Sequence, residues 1–430
     1  MLHTLIVSKR GEGLYFASIQ KMVCCILKHG EDAKMKKMLL ITLLLSVSFI
    51  FVSCITPSAP PPTGPEPAPP APGAETKISL PEPIMTGQSV EICLNSRYSD
   101  HDPVGTATDQ QISNVLWAAG KAPVTGTFRN IYVATPNGTY LYNPDDNSLS
   151  PYSEDTADRG AFVMSYEREL AFDAGLTYMP AILASVSLWG SPGVSVSNCP
   201  MRSKLYFGVD EVRGLTSEVV AHSSLPETDE GWLPDPRTTG DDKIETVLAN
   251  LKYTGNFSQT NLTREQISQL LWAGYGCTAH QVAYNRKGLT VPSAIARYFL
   301  TGTIYLVNEN GVYRYHNRNP DADLTTRDHR LERIKSGDVR GNLRSAVAGL
   351  SRAPCYVVLC LKSSDAGQEF AQLEVGFVAD NMLMQATAMD LGCYFKTKLT
   401  AAEQQALQNA TGIPSSHMPL VVVSLGQPAT

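Results

Sequence analysis

The chain has 430 residues, room for two or three domains. Apolar residues make up 43% and charged residues 18%, which supplies material for sizeable cores and excludes disorder throughout. A net charge of −6 without a clustered Lys/Arg block excludes a dedicated nucleic-acid binder, and a single continuously apolar stretch, Met38 to Ile55, excludes a polytopic membrane protein.

In chain order, Lys34-Met35-Lys36-Lys37 precedes an apolar run that ends Phe51-Val52-Ser53-Cys54. A basic flank, an apolar stretch and a small residue before the cut describe an export signal. Val-Ser-Cys resembles a bacterial lipobox, which implies lipid on Cys54 and a body held at the outer face of the cell membrane. Phe51 stands where Leu is usual, and an uncleaved signal anchor is the alternative. Met35 reads as the natural start, with 1–34 an upstream extension and 35–54 the signal peptide. The Pro-, Ala- and Glu-rich stretch within 55–85 favours an extended linker without a core. Cys93, Cys199, Cys277, Cys355, Cys360 and Cys393 follow without any Cys-x-x-Cys, so buried free thiols are expected. The histidines are scattered, and no metal-ligand spacing occurs.

The body repeats itself. Thr108 to Ala118 matches Thr263 to Ala273 at an offset of 155. Both segments read Thr-x-x-Gln before an apolar face, a capping box that opens a helix. Trp117 and Trp272 read as core anchors. Ile131 to Tyr142 matches Ile304 to Tyr315 at an offset of 173, and each segment is a hairpin around Asn-Gly. The second copy therefore holds 18 more residues between helix and hairpin, among them Pro292-Ser293-Ala294. A third match pairs Ala174-Gly175-Leu176 with Val375-Gly376-Phe377, each opening a long apolar helix. Strands are expected at Tyr356–Leu361 and Pro419–Gly426, with a helix from Thr400 to Gly412. Helices and hairpins in this order give an α+β class. A first copy at 86–226 and a second at 243–430 flank a linker, 227–242.

The second copy resembles the nitroreductase superfamily, and within it the SagB-type dehydrogenase branch. The likeness rests on Ile267 to Gly276, on Thr290 to Ala294 with the hairpin after it, and on Glu374 to Asn381 through Leu425-Gly426. It implies a fold that dimerises around FMN, here fused into a pseudo-dimer that is monomeric as a chain, with the first copy degenerate. It also implies hydride transfer between the flavin and a small-molecule substrate.

The resemblance places Pro292, Ser293 and Ala294 in the flavin loop. Asn381 lies in the central helix, and Thr397 stands near a Gly whose amide faces the flavin ring. The family's phosphate arm carries two arginines. Here the arm is Ser96-Arg97 in the first copy and Lys252-Tyr253 in the second, so the clamp is weakened. By itself, Arg97 reads as a surface arginine and Asn381 as a hydrogen bond across the core. Because only the second copy has the loop, at most one FMN per chain is expected, and no catalytic residue is assigned. The alternative is a membrane-anchored binding protein that has lost the cofactor.

Overall fold

A computed structural model describes residues 77–97, 107–125, 130–154, 162–167, 171–189, 194–199, 202–207, 215–218, 231–282, 285–319 and 323–429, all within one compact unit, Pro70–Thr430. The upstream extension 1–34, the signal peptide and Cys54 lie outside the described residues. The architecture is α+β, with two antiparallel sheets of matching topology.

Both capping boxes form. Thr108 opens helix α2 (Asp109–Lys121), which follows the short helix α1 (Val90–Ser96). Its hydroxyl accepts from Gln111 N at 3.3 Å, while Gln111 Oε1 accepts from Thr108 N at 2.8 Å. Thr263 and Gln266 repeat the exchange at 3.2 and 2.9 Å. They open α5 (Arg264–Tyr275), which follows α4 (Ile244–Ala249). Two otherwise orphaned amides are satisfied at each start. Trp272 is buried and donates its Nε1–H to Cys277 O at 2.9 Å, whereas Trp117 is half-buried beneath Lys121.

The first sheet contains β1 (Ile78–Ser79), β2 (Tyr132–Thr135), β3 (Gly138–Asn143), β4 (Ser148–Ser153), β5 (Phe162–Glu167), β6 (Val194–Cys199) and β7 (Arg202–Phe207). Its order is β1-β4-β3-β2-β5-β7-β6. In the second copy, β8 (Cys277–Gln281) and β9 (Lys287–Leu289) form a separate ribbon. The second sheet contains β10 (Ile304–Asn308), β11 (Gly311–Asn319), β12 (Asp323–Ser336), β13 (Cys355–Lys362), β14 (Gly392–Lys396) and β15 (His417–Gly426), in the order β12-β11-β10-β13-β15-β14. Strand for strand this is the first sheet without β1. The hairpin register also repeats, with Thr135 opposite Gly138 and Asn308 opposite Gly311.

The sheets differ in how one face is treated. In the second sheet, Tyr305 pairs with Val358 and Val358 with Val422. This apolar row packs under α6 (Arg340–Ala346) and α8 (Ala401–Thr411) through Leu343, Val347, Leu407 and Ile413. In the first sheet the positions equivalent to Tyr305, Val358 and Val422 are Tyr132, Ser165 and Lys204. Between β6 and β7 there are two residues, too few for a counterpart of α8.

The two copies meet at their long helices, α3 (Ala171–Trp189) and α7 (Glu369–Ala388). Helix α3 is apolar and long enough to cross a membrane, but it is buried in the core. At the crossing, a Cβ on Gly175 would run into Leu373 O and lie 2.8 Å from Gly376 Cα. A Cβ on Gly376 would meet Phe172 O and lie 2.8 Å from Gly175 Cα. These contacts are reciprocal at an offset of 201, as in a twofold interface where residue i meets j and j meets i. Val90 N donates to Asp242 O at 3.3 Å and Ile244 N to Gln88 O at 2.9 Å, a second reciprocal pair.

The arms before α1 and α4 correct two of the sequence boundaries. Leu80-Pro81-Glu82-Pro83-Ile84 and Leu233-Pro234-Asp235-Pro236-Arg237 are a further repeat. Ser113 and Ser268 each donate to a proline carbonyl, of Pro81 and Pro234, at 2.5 Å. The Asn114 amide brackets the backbone of Ile84 at 3.3 and 3.0 Å, and Gln269 brackets Arg237 at 2.8 and 3.1 Å. The end of the 55–85 linker and residues 231–242 of the 227–242 linker are therefore docked arms. Their prolines set an extended course, and their carbonyls bond to helix side chains. The described cysteines Cys93, Cys277, Cys355, Cys360 and Cys393 are free and buried.

Candidate functional site

The inserted residues of the second copy fold as the β8–β9 ribbon and a loop with a 3-10 turn at Ala294–Ala296. Arg97, from the end of α1 in the first copy, enters this loop. Its Nη2 donates to Leu289 O at 2.7 Å and Val291 O at 3.0 Å, and its Nε donates to Thr290 O at 3.2 Å. Only 3% of Arg97 is exposed, and burial draws its pKa down to about 10. The surface reading of Arg97 is thus overturned: the planar guanidinium gathers three backbone carbonyls that point the same way. Asn381, buried in α7, donates to the same Thr290 O at 3.3 Å. Arg97, Asn381 and the loop are brought together from both copies.

Pro292 is buried beside this cluster, and Ser293 and Ala294 are half-buried. Ser293 Oγ accepts from Tyr298 N at 2.7 Å. Ala296 and Tyr298 hold left-handed backbone, with φ of 51° and 56°. For an aromatic residue that conformation is strained, and strain persists where the surroundings fix it. Beneath the loop, Glu374 of α7 accepts from Tyr275 OH at 2.5 Å and from Leu300 N at 3.3 Å. Burial pushes its carboxyl up to about 7, against the opposing pull of Ser293 and Tyr275. Sequence reasoning gave Glu374 no role. A carboxylate between Leu373 and Val375 in a buried helix was the available signal.

The remaining expected residues fall elsewhere. Ser96 is buried and anchors Thr216, accepting from Thr216 N at 2.8 Å. Neighbouring Asn95 holds Thr216 and Glu218 carbonyls and accepts from Ala279 N. Lys252 is paired with Asp390 past the far end of α7, so it does not serve the loop. Thr397 follows β14 and is partly exposed.

The pseudo-symmetric position is differently filled. Asp173, the counterpart of Glu374 at the same offset of 201, accepts from Thr125 N at 3.3 Å and from the Thr125 hydroxyl. Tyr253 stacks on Tyr394 with centroids 5.0 Å apart, and Phe172 meets Phe395 edge-on at 6.2 Å. Aromatic packing stands here in place of an inserted loop.

Comparison with known proteins agrees with this architecture. Residues 255–427 match the model of the Nitroreductase family. A protein of Methanocaldococcus jannaschii, named as a candidate nitroreductase, is 29% identical over 185 residues, covering 39% of this chain and 83% of its own. The crystal structure of a candidate nitroreductase from Anabaena variabilis superposes with a TM-score of 0.52 at 13% identity, over 80% of this chain and all 100% of its own. One from Ralstonia eutropha gives 0.39 at 21% identity, over 51% and 98%. The body has a nitroreductase-like α+β fold, and the family match in its second half supports an oxidoreductase of that superfamily.

Proposed function

We propose that the chain is a flavin-dependent oxidoreductase with one composite site, made by Arg97 of the first copy and by residues 289–300 and Asn381 of the second. One observation carries this reading: a side chain from one half orders the loop of the other. Around that loop the buried polar atoms Thr290 Oγ1, Thr278 Oγ1 and Asn381 Oδ1 have no hydrogen-bond partner among the described residues. Such groups suit the edge of a flavin ring, which offers donors and acceptors side by side. Bound there, FMN would supply hydride transfer, while the chain binds and orients it. The SagB-type dehydrogenase branch is the finer assignment that the residues in 267–276 and 290–315 favour. The acceptor is a small molecule of unassigned class.

Purified protein, titrated with FMN and followed by absorbance and fluorescence quenching, is expected to saturate near one flavin per chain. Saturation at two overturns the composite site. Arg97 already bonds three carbonyls, so the phosphate meets a weak clamp. Losing a hydrogen bond to a charged group costs about 1.5–3 kcal/mol, roughly ten- to a hundredfold in affinity, and flavin should leave on dialysis. Lys252→Ala should change FMN affinity less than about twofold. The commitments of Lys252 to Asp390 and of Arg97 to carbonyls favour a second reading, a binding protein without flavin. Folded protein that shows no binding at millimolar FMN decides for it.

The leader supports a further proposal, export and lipidation at Cys54. Cys54→Ser should block both lipidation and signal processing, and a chain that starts after Cys54 should leave the membrane fractions. A variant processed like the wild type overturns it.

A further inference from the structure

We infer that residues 231–234 form a pH-sensitive strap, latched to the second sheet by neutral His329. The equivalent strap of the first copy is latched by Asn147 and is indifferent to pH.

The two latches match group for group. In the first copy, Leu80 N donates to Asn147 O at 3.0 Å. The Asn147 amide joins Tyr142 of β3 to the strap. Its Oδ1 accepts from Tyr142 OH at 3.1 Å, and its Nδ2 donates to Ser113 Oγ at 2.9 Å and to Pro81 O at 2.8 Å. In the second copy, Leu233 N donates to His329 O at 3.1 Å, and Leu331 N to Gly231 O at 2.7 Å. The His329 ring takes the place of the amide. Its Nδ1 lies 2.8 Å from Tyr315 OH, and its Nε2 lies 2.7 Å from Ser268 Oγ. Ser268 in turn donates to Pro234 O at 2.5 Å.

The hydrogens fix the form of the ring. A carbonyl only accepts, so the one hydrogen of Ser268 lies on Pro234 O, and Ser268 Oγ receives Nε2–H from His329. Nδ1 is then the acceptor for Tyr315 O–H. Asn147 holds the same order of acceptor and donor permanently. An imidazolium donates from both nitrogens. Its Nδ1–H would face the tyrosine hydrogen, and its charge would sit in a residue only 5% exposed.

Other charged groups near the ring are engaged. On β12, Asp328 Oδ1 accepts from His329 N and Asp328 Oδ2 from Arg330 Nε, each at 2.8 Å. Strand β11 presents Tyr315 to the ring, and on its opposite face His316 bonds to Glu332 at 2.7 Å. Helix α5 contributes the uncharged Ser268, and the strap Gly231-Trp232-Leu233-Pro234 carries no charge. Gly231 and Leu233 also wall an open cavity of about 700 Å³ with Leu262, Ile267 and Tyr313, so release of the strap alters that cavity.

The neutral ring closes the latch. Latching is therefore complete above the ordinary histidine range, about 6.5, and is lost as pH falls below it. Hydrogen exchange of the full chain, compared as protection factors at about pH 7.5 and about pH 5.5, reads both straps in one sample. Protection of the Leu233 and Leu331 amides should fall roughly tenfold in acid, the effect of about one pH unit of histidine titration. Protection of the Leu80 amide should stay within about twofold, because an asparagine amide does not titrate. His329→Asn gives the second copy the latch of the first and should hold Leu233 protection level across the range. Asp328, Arg330, His316 and Glu332 remain in that variant, so any slope of theirs survives in it. Level Leu233 protection in the wild type, an equal fall at Leu80, or a fall that survives His329→Asn overturns the latch. If the variant does not fold, the contrast between Leu233 and Leu80 in the wild type decides alone.

Discussion

Replacing Arg97 by Ala is expected to lower stability by about 2–4 kcal/mol and to weaken flavin binding together with it. The guanidinium is the donor for the carbonyls of Leu289, Val291 and, shared with Asn381, Thr290. Truncation leaves buried acceptors without a partner, at about 1–3 kcal/mol for each group that water cannot reach. Relief of the arginine's own burial offsets part of that sum. Arg97→Lys should recover little, because a single ammonium cannot span three carbonyls with fixed fork geometry. Thermal melts should fall by roughly 4–8 °C for either variant. A melt within a degree of wild type, with unchanged flavin titration, would remove Arg97 from the site.

Gly376→Leu should abolish the native fold, and Gly376→Ala should already cost about 1–3 kcal/mol or more. The obstacle to a side chain here is backbone: Phe172 O and Gly175 Cα leave no space for a Cβ. Rotamer changes cannot relieve a clash with main chain, so the helices must separate and the apolar surface between them must loosen. Gly175→Ala should behave alike. Once one substitution has spread the crossing, the second should cost less than the first, a clear failure of additivity between neighbours. Two full and independent penalties would contradict the reciprocal crossing. Circular dichroism and chemical denaturation of Gly376→Leu, the two single alanine variants and the double alanine variant measure this directly.

Where the sequence was legible, the reason was local. The Thr-x-x-Gln boxes, the Asn-Gly hairpins and the apolar runs at Cys355–Lys362 and His417–Gly426 form with neighbours close in the chain or with uniform apolar partners. Their chemistry reads without knowledge of the rest. The repeat offsets further exposed the doubled architecture, while the family resemblance put Arg97 in a phosphate arm and not on the carbonyls of the loop. The burial of Arg97 was illegible for a plain reason: its partners are backbone carbonyls, and every residue has one. Glu374 was illegible because its environment is made by Tyr275, Leu300 and Ser293, distant segments that meet only in the fold. The docked arms were hidden by composition. Proline-rich segments read as spacers, and only the repetition of Leu-Pro-acid-Pro ahead of each helix distinguishes an arm from a tether.

The reciprocal helix crossing lies within one polypeptide. In a homodimer, a change at such a crossing arrives twice, once from each subunit, and both active sites share its effect. Here it arrives once. Aspartate can stand at 173 and glutamate at 374, one sheet can carry α8 between its last two strands while the other joins them by two residues, and neither choice is imposed on its counterpart. Dilution cannot part the halves either, because the linkage makes their encounter intramolecular. Melting temperature should therefore be independent of protein concentration, and each half is at liberty to diverge from its counterpart.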